Sequence, residues 1–225
     1  MIKLMPSFFK RFIRLNVGLI VFGFALALML EAKLGLGPWD ILHQGISIRT
    51  DVSSQIFGNY IDLTSVGMIS IIVGAAIMLL WLPLKERPGI GTILNVILIG
   101  IMIDVWMFVL PNTDNLIIRY LMILISPILA ALGTILYIGA EMGPGPRDGL
   151  MTGLAKRGIP IAVARTSIES IVLIAGFILG GNVGIGTIWF AFSIGPFIQL
   201  ILQYKPLSSI LATEKFRKTY RKKRK

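Results

Sequence analysis

The sequence predicts an all-α polytopic membrane protein: six transmembrane helices as two inverted three-helix repeats, each with a short Gly-x-Gly-Pro-x-Asp helix. Three observations carry that reading. They are the bulk hydropathy, six apolar stretches of spanning length, and a two-part signature that occurs twice. Of the 225 residues, 55% are hydrophobic and 15% charged, with a mean hydropathy of +0.82. A water-soluble domain cannot bury that much apolar surface.

A span needs roughly 20 mostly apolar residues to cross about 30 Å of hydrocarbon. Segments 13–34, 63–83, 90–110, 117–139, 161–181 and 185–204 qualify. The first is the least typical. Its uninterrupted apolar run from Val17 to Leu30 is short, follows Lys10, Arg11 and Arg14, and ends at Glu31 and Lys33. A signal peptide has the same pattern. The duplication assigns the segment to the fold instead, because span 1 precedes the first Gly-Pro-x-Asp motif as span 4 precedes the second. Glu31 and Lys33 are expected to reach the interface by snorkelling.

Lysine and arginine placement sets the orientation. With the N-terminus in the cytoplasm, only Lys33, Arg49 and Arg119 of the 22 basic residues fall outside. Both termini are then cytoplasmic. The expected division is a cytoplasmic segment 1–14, a first repeat 15–110, a second repeat 111–204 and a basic cytoplasmic tail 205–225.

The signature fixes how the halves relate. Gly35-Leu36-Gly37-Pro38-Trp39-Asp40 returns as Gly143-Pro144-Gly145-Pro146-Arg147-Asp148, a shift of 108 residues. Gly89-Ile90-Gly91-Thr92-Ile93, with Gly100 following, returns as Gly184-Ile185-Gly186-Thr187-Ile188 with Gly195, a shift of 95. Three spans per half is an odd number, so the second half enters from the opposite face, as in many transporters and channels. The first half carries 13 extra residues. Polar residues around 49–62 place them in an outer loop.

Each Gly-x-Gly-Pro-x-Asp motif reads as a helix stop followed by a start. Glycine tolerates positive φ, proline suits the first helical position, and a first-turn carboxylate is favoured by the helix dipole. Short helices are expected at about 38–47 and 146–156, lying at the interface or re-entering toward a central cavity. The motif is consistent both with simple capping and with a site. The Gly-x-Gly-Thr motif reads first as close helix packing and second as the lining of a narrow pathway. Pro196 suggests a kink in span 6.

Ionisable groups inside spans are costly and often functional. The candidate solute-binding residues are Asp40, His43, Asp148, Arg165, Glu169 and Asp104. Arg165 and Glu169 lie four apart on one helix face and can pair, either as a structural ion pair or as part of an interior lining. Asp104 sits in span 3, where the shift of 95 matches it to Gln199 and hints at a shared inward face with Asn95. His43 is either a surface or hydrogen-bonded residue or a proton relay. Trp39, Trp81, Trp106 and Trp189 lie near span ends and read as an aromatic belt.

Other classes have little material. Cysteine is absent and His43 is the single histidine, which leaves neither thiolate chemistry nor a histidine metal cluster. No cofactor is expected. No Walker sequence is present, so any energy comes from a gradient or a partner. The net charge of +11 sits at span ends and in the tail. The expected partners are therefore the lipid bilayer and, at the tail, anionic lipid headgroups, with no nucleic acid. A homodimer is left open, since no face announces one. Catalytic groups are too few for an enzyme to be the expectation.

At these motifs the chain resembles the bacterial YczE/YyaS/YitT group of small integral membrane proteins, in its YczE-like branch. The residues that carry the resemblance are Gly35 to Asp40 with Leu42, His43, Gln44 and Gly45, then Gly145 to Met151 and Gly184 to Thr187. It covers about residues 15–204. It implies a bacterial plasma-membrane protein and no settled activity. The expectation is thus a small-solute transporter or channel, with a non-transporting accessory protein as the alternative.

Overall fold

The computed structural model describes residues 5–50, 65–204 and 211, which are helical or connecting with no strand among them. The order is α1 (Met5–Ala32), α2 (Pro38–Arg49), α3 (Val66–Leu79), α4 (Trp81–Leu84), α5 (Ile90–Val109), α6 (Leu116–Gly139), α7 (Pro146–Ala155), α8 (Ile161–Ile178) and α9 (Ile185–Gln203). Among the described residues five helical stretches are long and apolar enough to cross a membrane: α1, α3 with α4, α5, α6 and α9. The chain is therefore a multi-pass α-helical membrane protein. The expected fifth span corresponds to α8, which carries Arg165 and Glu169 and is not one of the five. Most of the expected outer loop, from residue 51 to 62, lies outside the described residues.

α1 starts at Met5, earlier than its hydropathy suggested, because lysine and arginine are good helix formers and do not interrupt it. It is the centre of the fold rather than a peripheral leader. Leu15, Leu19 and Ala25 are fully buried, and α1 packs on α6 and α5. Gly18 and Gly133 make the α1–α6 crossing close: a methyl at Gly18 would fall 2.6 Å from the Tyr137 nitrogen. Beside that crossing the Ser126 hydroxyl donates to the Ala25 carbonyl at 2.8 Å.

The short helices are packed inside. α2 lies on α8 and α3; α7 lies on α3, α4 and α8. Trp81 is buried against α7 and donates its indole N–H to the Pro146 carbonyl at 3.1 Å. Trp39 is also buried. Two of the four expected belt tryptophans are therefore interior residues. Position near a span end does not distinguish a headgroup anchor from a ring tucked under a short helix.

Several contacts recur at the sequence shifts of 108 and 95. Lys33 and Glu141 both take left-handed conformations, φ 53° and 52°, followed by Gly35 and Gly143 at 116° and 130°. The Gly91 N–H donates to Met142 O at 2.8 Å, and the Gly186 N–H to Leu34 O at 2.8 Å. The Arg11 guanidinium donates to the carbonyls of Ala140 and Glu141, closing the end of α6. Arg119 does the same for Ala32 and Lys33 at the end of α1. Thr92 and Thr187 each accept the N–H of the glycine three residues earlier, at 3.1 and 3.2 Å.

Candidate solute cavity

α2 and α7 begin at Gly37 and Gly145, which have no side chain to cap the helix, with Pro38 and Pro146 at the first helical position. Both starts face one cavity of about 580 Å³. This is in the range of small-molecule sites, ~300–1,000 Å³. The two glycines admit close neighbours. A methyl at Gly37 would sit 3.0 Å from Asp40 Oδ2, and one at Gly145 would sit 3.2 Å from Asn95 Oδ1.

Five of the six candidate residues line this cavity: Asp40, His43, Asp148, Arg165 and Glu169. Asp104 does not. Its Oδ2 accepts from the Ser65 hydroxyl at 2.6 Å and its Oδ1 from the Gly67 N–H at 3.0 Å, so it serves the start of α3. Gln199 is exposed and outside the lining, so the inward face inferred for it and Asp104 is corrected; Asn95 alone of that set faces the cavity. Glu31 does not snorkel. It is 1% exposed, and its Oε1 accepts from the Thr113 N–H at 3.1 Å.

The residues that sequence reasoning did not select are Arg147, Trp39 and Tyr137. The Arg147 guanidinium lies 4.9 Å from the centre of the Trp39 ring and 3.7 Å from Asp40 Oδ1. Trp39 and Arg147 occupy matching motif positions, and that match was the available signal. The Tyr137 hydroxyl donates to Asp148 Oδ2 at 3.0 Å. Arg165 bonds Glu169 at 2.9 Å, as their spacing implied.

His43 is 1% exposed, with Nδ1 3.7 Å from Asp40 Oδ1, too far for a hydrogen bond. Trp39 Nε1, Asp40 Oδ1 and His43 Nδ1 are buried with no hydrogen-bond partner among the described residues. Three such polar atoms around one cavity form a surface that a polar ligand would satisfy. Burial pushes the Asp40 carboxyl up, but His43 and Arg147 outweigh it and hold it below its ordinary value. Burial pushes His43 down, more than Asp40 raises it, so the imidazole favours its neutral form. For Asp148 burial prevails over Tyr137, Arg165 and Arg147, and the carboxyl is raised.

Fold and cavity together define a small multi-pass α-helical membrane protein with a part-open chamber between its helices, lined by apolar and charged side chains. The chain belongs to the family of unknown function DUF6198, whose model matches residues 9–203. It is 39% identical over 185 residues to an uncharacterized protein of Haemophilus influenzae, covering 82% of this chain and 79% of that one. It is 35% identical over 196 residues to the uncharacterized membrane protein YczE of Bacillus subtilis, covering 86% and 84%. With the uncharacterized protein YyaS of the same organism the identity is 27% over 179 residues, covering 77% and 83%. No solved structure matches the chain.

Proposed function

We propose that the protein is a small-solute transporter or channel, built from two three-helix halves of opposite orientation, with both termini in the cytoplasm of a bacterial plasma membrane. The observation that carries this reading is the convergence of α2 and α7, one from each half, on a single cavity lined by five charged side chains. Charged groups held inside a helical membrane protein commonly mark a solute or ion path. Helix starts facing a chamber at the boundary of two repeats are the usual place for a transported solute.

The recurring contacts support the inverted arrangement. A two-fold relation sends each contact to its partner with the halves exchanged. Arg11 to Ala140 becomes Arg119 to Ala32, and Gly91 to Met142 becomes Gly186 to Leu34. Trp39 and Arg147 correspond to each other and also touch. A contact between corresponding positions belongs on the axis that relates the halves.

The test is osmotic re-swelling of proteoliposomes after addition of a cationic, an anionic, a zwitterionic and a neutral small solute. The expected result is re-swelling by the wild type with at least one class, lost in Asp40→Asn and Asp148→Asn. Re-swelling with none would overturn the reading in favour of a non-transporting accessory protein.

A further inference from the structure

We infer that the solute of this cavity is a small organic monocation, exchanged against a proton at the Asp148 carboxylate. The inference rests on the transport reading above and assigns its substrate class. The charge inventory of the chamber carries it. Two cations and three carboxylates line it. Arg147 has Asp40 at 3.7 Å and Arg165 has Glu169 at 2.9 Å. Asp148 forms no ion pair among the described residues; its hydrogen bond comes from the neutral Tyr137 phenol, and the Arg147 and Arg165 guanidiniums act on it from farther off. Asp148 is half-buried, and a carboxylate held among the helices of a membrane protein is favoured by a compensating positive charge or a proton. With Asp148 ionised, an anion would add to the negative charge and a zwitterion would leave it standing, whereas a monocation neutralises it.

The second acceptor is independent of Asp148. Asp40 Oδ1 is buried and without a hydrogen-bond partner among the described residues, on the wall of the same chamber, so two carboxylates present acceptor oxygen to the solute. The walls decide between a bare ion and an organic one. Phe22, Tyr137 and Phe190 bring aromatic rings, alongside aliphatic side chains, around about 580 Å³. Such faces suit an alkylated ammonium, which gains cation–π attraction without giving up a tightly held water shell.

The exchange balances in charge. The protonated carboxyl gives its proton to the water on one side as the monocation takes its place, one positive charge for another. The groups facing Asp148 are Arg147 on its own helix, Tyr137 from α6, and Arg165 and Glu169 from α8. Asp40 and His43 on α2 line the same chamber. α3 and α4 bring no titratable side chain, and Asp104 of α5 lies outside the lining. Burial raises the proton affinity of Asp148 above that of an ordinary carboxylate, the direction a proton-exchanging site requires.

The experiment uses the full chain in liposomes loaded with a pH-sensitive dye, given an inward gradient of tetramethylammonium or choline. Both are permanently charged and cannot cross as neutral bases. The wild type is expected to alkalinise the lumen at least tenfold faster than Asp148→Asn. Asp148→Glu is expected to keep the response, and Asp114→Asn, on an exposed position away from the cavity, to leave it unchanged. Methanesulfonate and glycine betaine are tested in parallel by re-swelling. Movement of either, with no cation-driven pH change, overturns the cation assignment while transport stands. Cation exchange at the wild-type rate in a monodisperse Asp148→Asn overturns the role of Asp148. Movement of no solute overturns the transport reading itself.

Discussion

Replacing Gly149 by alanine should destabilise the protein through a single ring. A methyl built at Gly149 lies 2.5 Å from Trp81 Cε2 and closer still to Cζ2 and Cη2. The ring cannot easily retreat: Trp81 is 2% exposed, and its indole N–H is bonded to Pro146 O. Overpacking of a tight interior costs about 1–3 kcal/mol. Losing the indole hydrogen bond adds roughly 0.5–1.5 kcal/mol. Gly149→Ala alone is therefore expected to cost about 2–4 kcal/mol. Trp81→Phe removes the colliding atoms at a cost of roughly 1–2 kcal/mol in lost hydrogen bond and unfilled volume. In the double variant the clash is relieved, so its destabilisation should fall short of the sum by at least about 1 kcal/mol, in the range of coupling between touching residues. Unfolding of the four proteins in mixed detergent micelles measures the cycle. Additive effects would refute the claim that Trp81 seats α7, and with it the packing that aims Asp148 into the cavity.

Arg11→Gln and Arg119→Gln should each lower stability by about 1.5–3 kcal/mol, since each removes charge-assisted bonds to the last carbonyls of a helix; a thermal melt that moves for one and not the other would deny their equivalence. The two cavity aspartates should respond to pH with opposite signs. Asp40 is depressed, so its contribution is present above the ordinary carboxylate range and lost as pH falls through it; Asp40→Asn is expected to destabilise at neutral pH. Asp148 is raised, so the folded state binds more protons than the unfolded one, and stability falls as pH rises above the ordinary carboxylate range. Asp148→Asn is expected to be the more stable protein at pH 7, and melting curves between pH 4 and about 8 would show this.

Much of this architecture was legible because hydropathy and the duplicated glycines act over whole segments. The short helices were expected at 38–47 and 146–156 and are found at Pro38–Arg49 and Pro146–Ala155. Glycine, proline and aspartate constrain the local backbone strongly enough to be read without any tertiary contact. The pairing of Arg165 with Glu169 was legible for the same reason, since helical spacing alone sets it. What was not legible depended on long-range packing. Asp104 resembled a pathway residue, yet it meets Ser65 and Gly67, whose nearness depends on how α3 lies on α5. Trp39 and Trp81 resembled headgroup anchors, yet Trp39 packs with Ile77 of α3 and Val172 of α8, and Trp81 lies against α7. Arg11 and Arg119 passed as topology signals, although the shift of 108 already paired them.

The central claim is that two halves of opposite orientation bring α2 and α7 to one chamber from opposite faces. The chain has no native cysteine, so single cysteines at Thr50, after α2, and Ile159, after α7, report on each side. Both positions are exposed. Labelling with a membrane-impermeant maleimide, in intact and then in opened cells, reads the side directly. Residue 50 reacting in intact cells, and residue 159 only after opening, is the result expected of inverted halves. Reaction of both in intact cells, or of neither until the cells are opened, would make the halves parallel and would contradict the account.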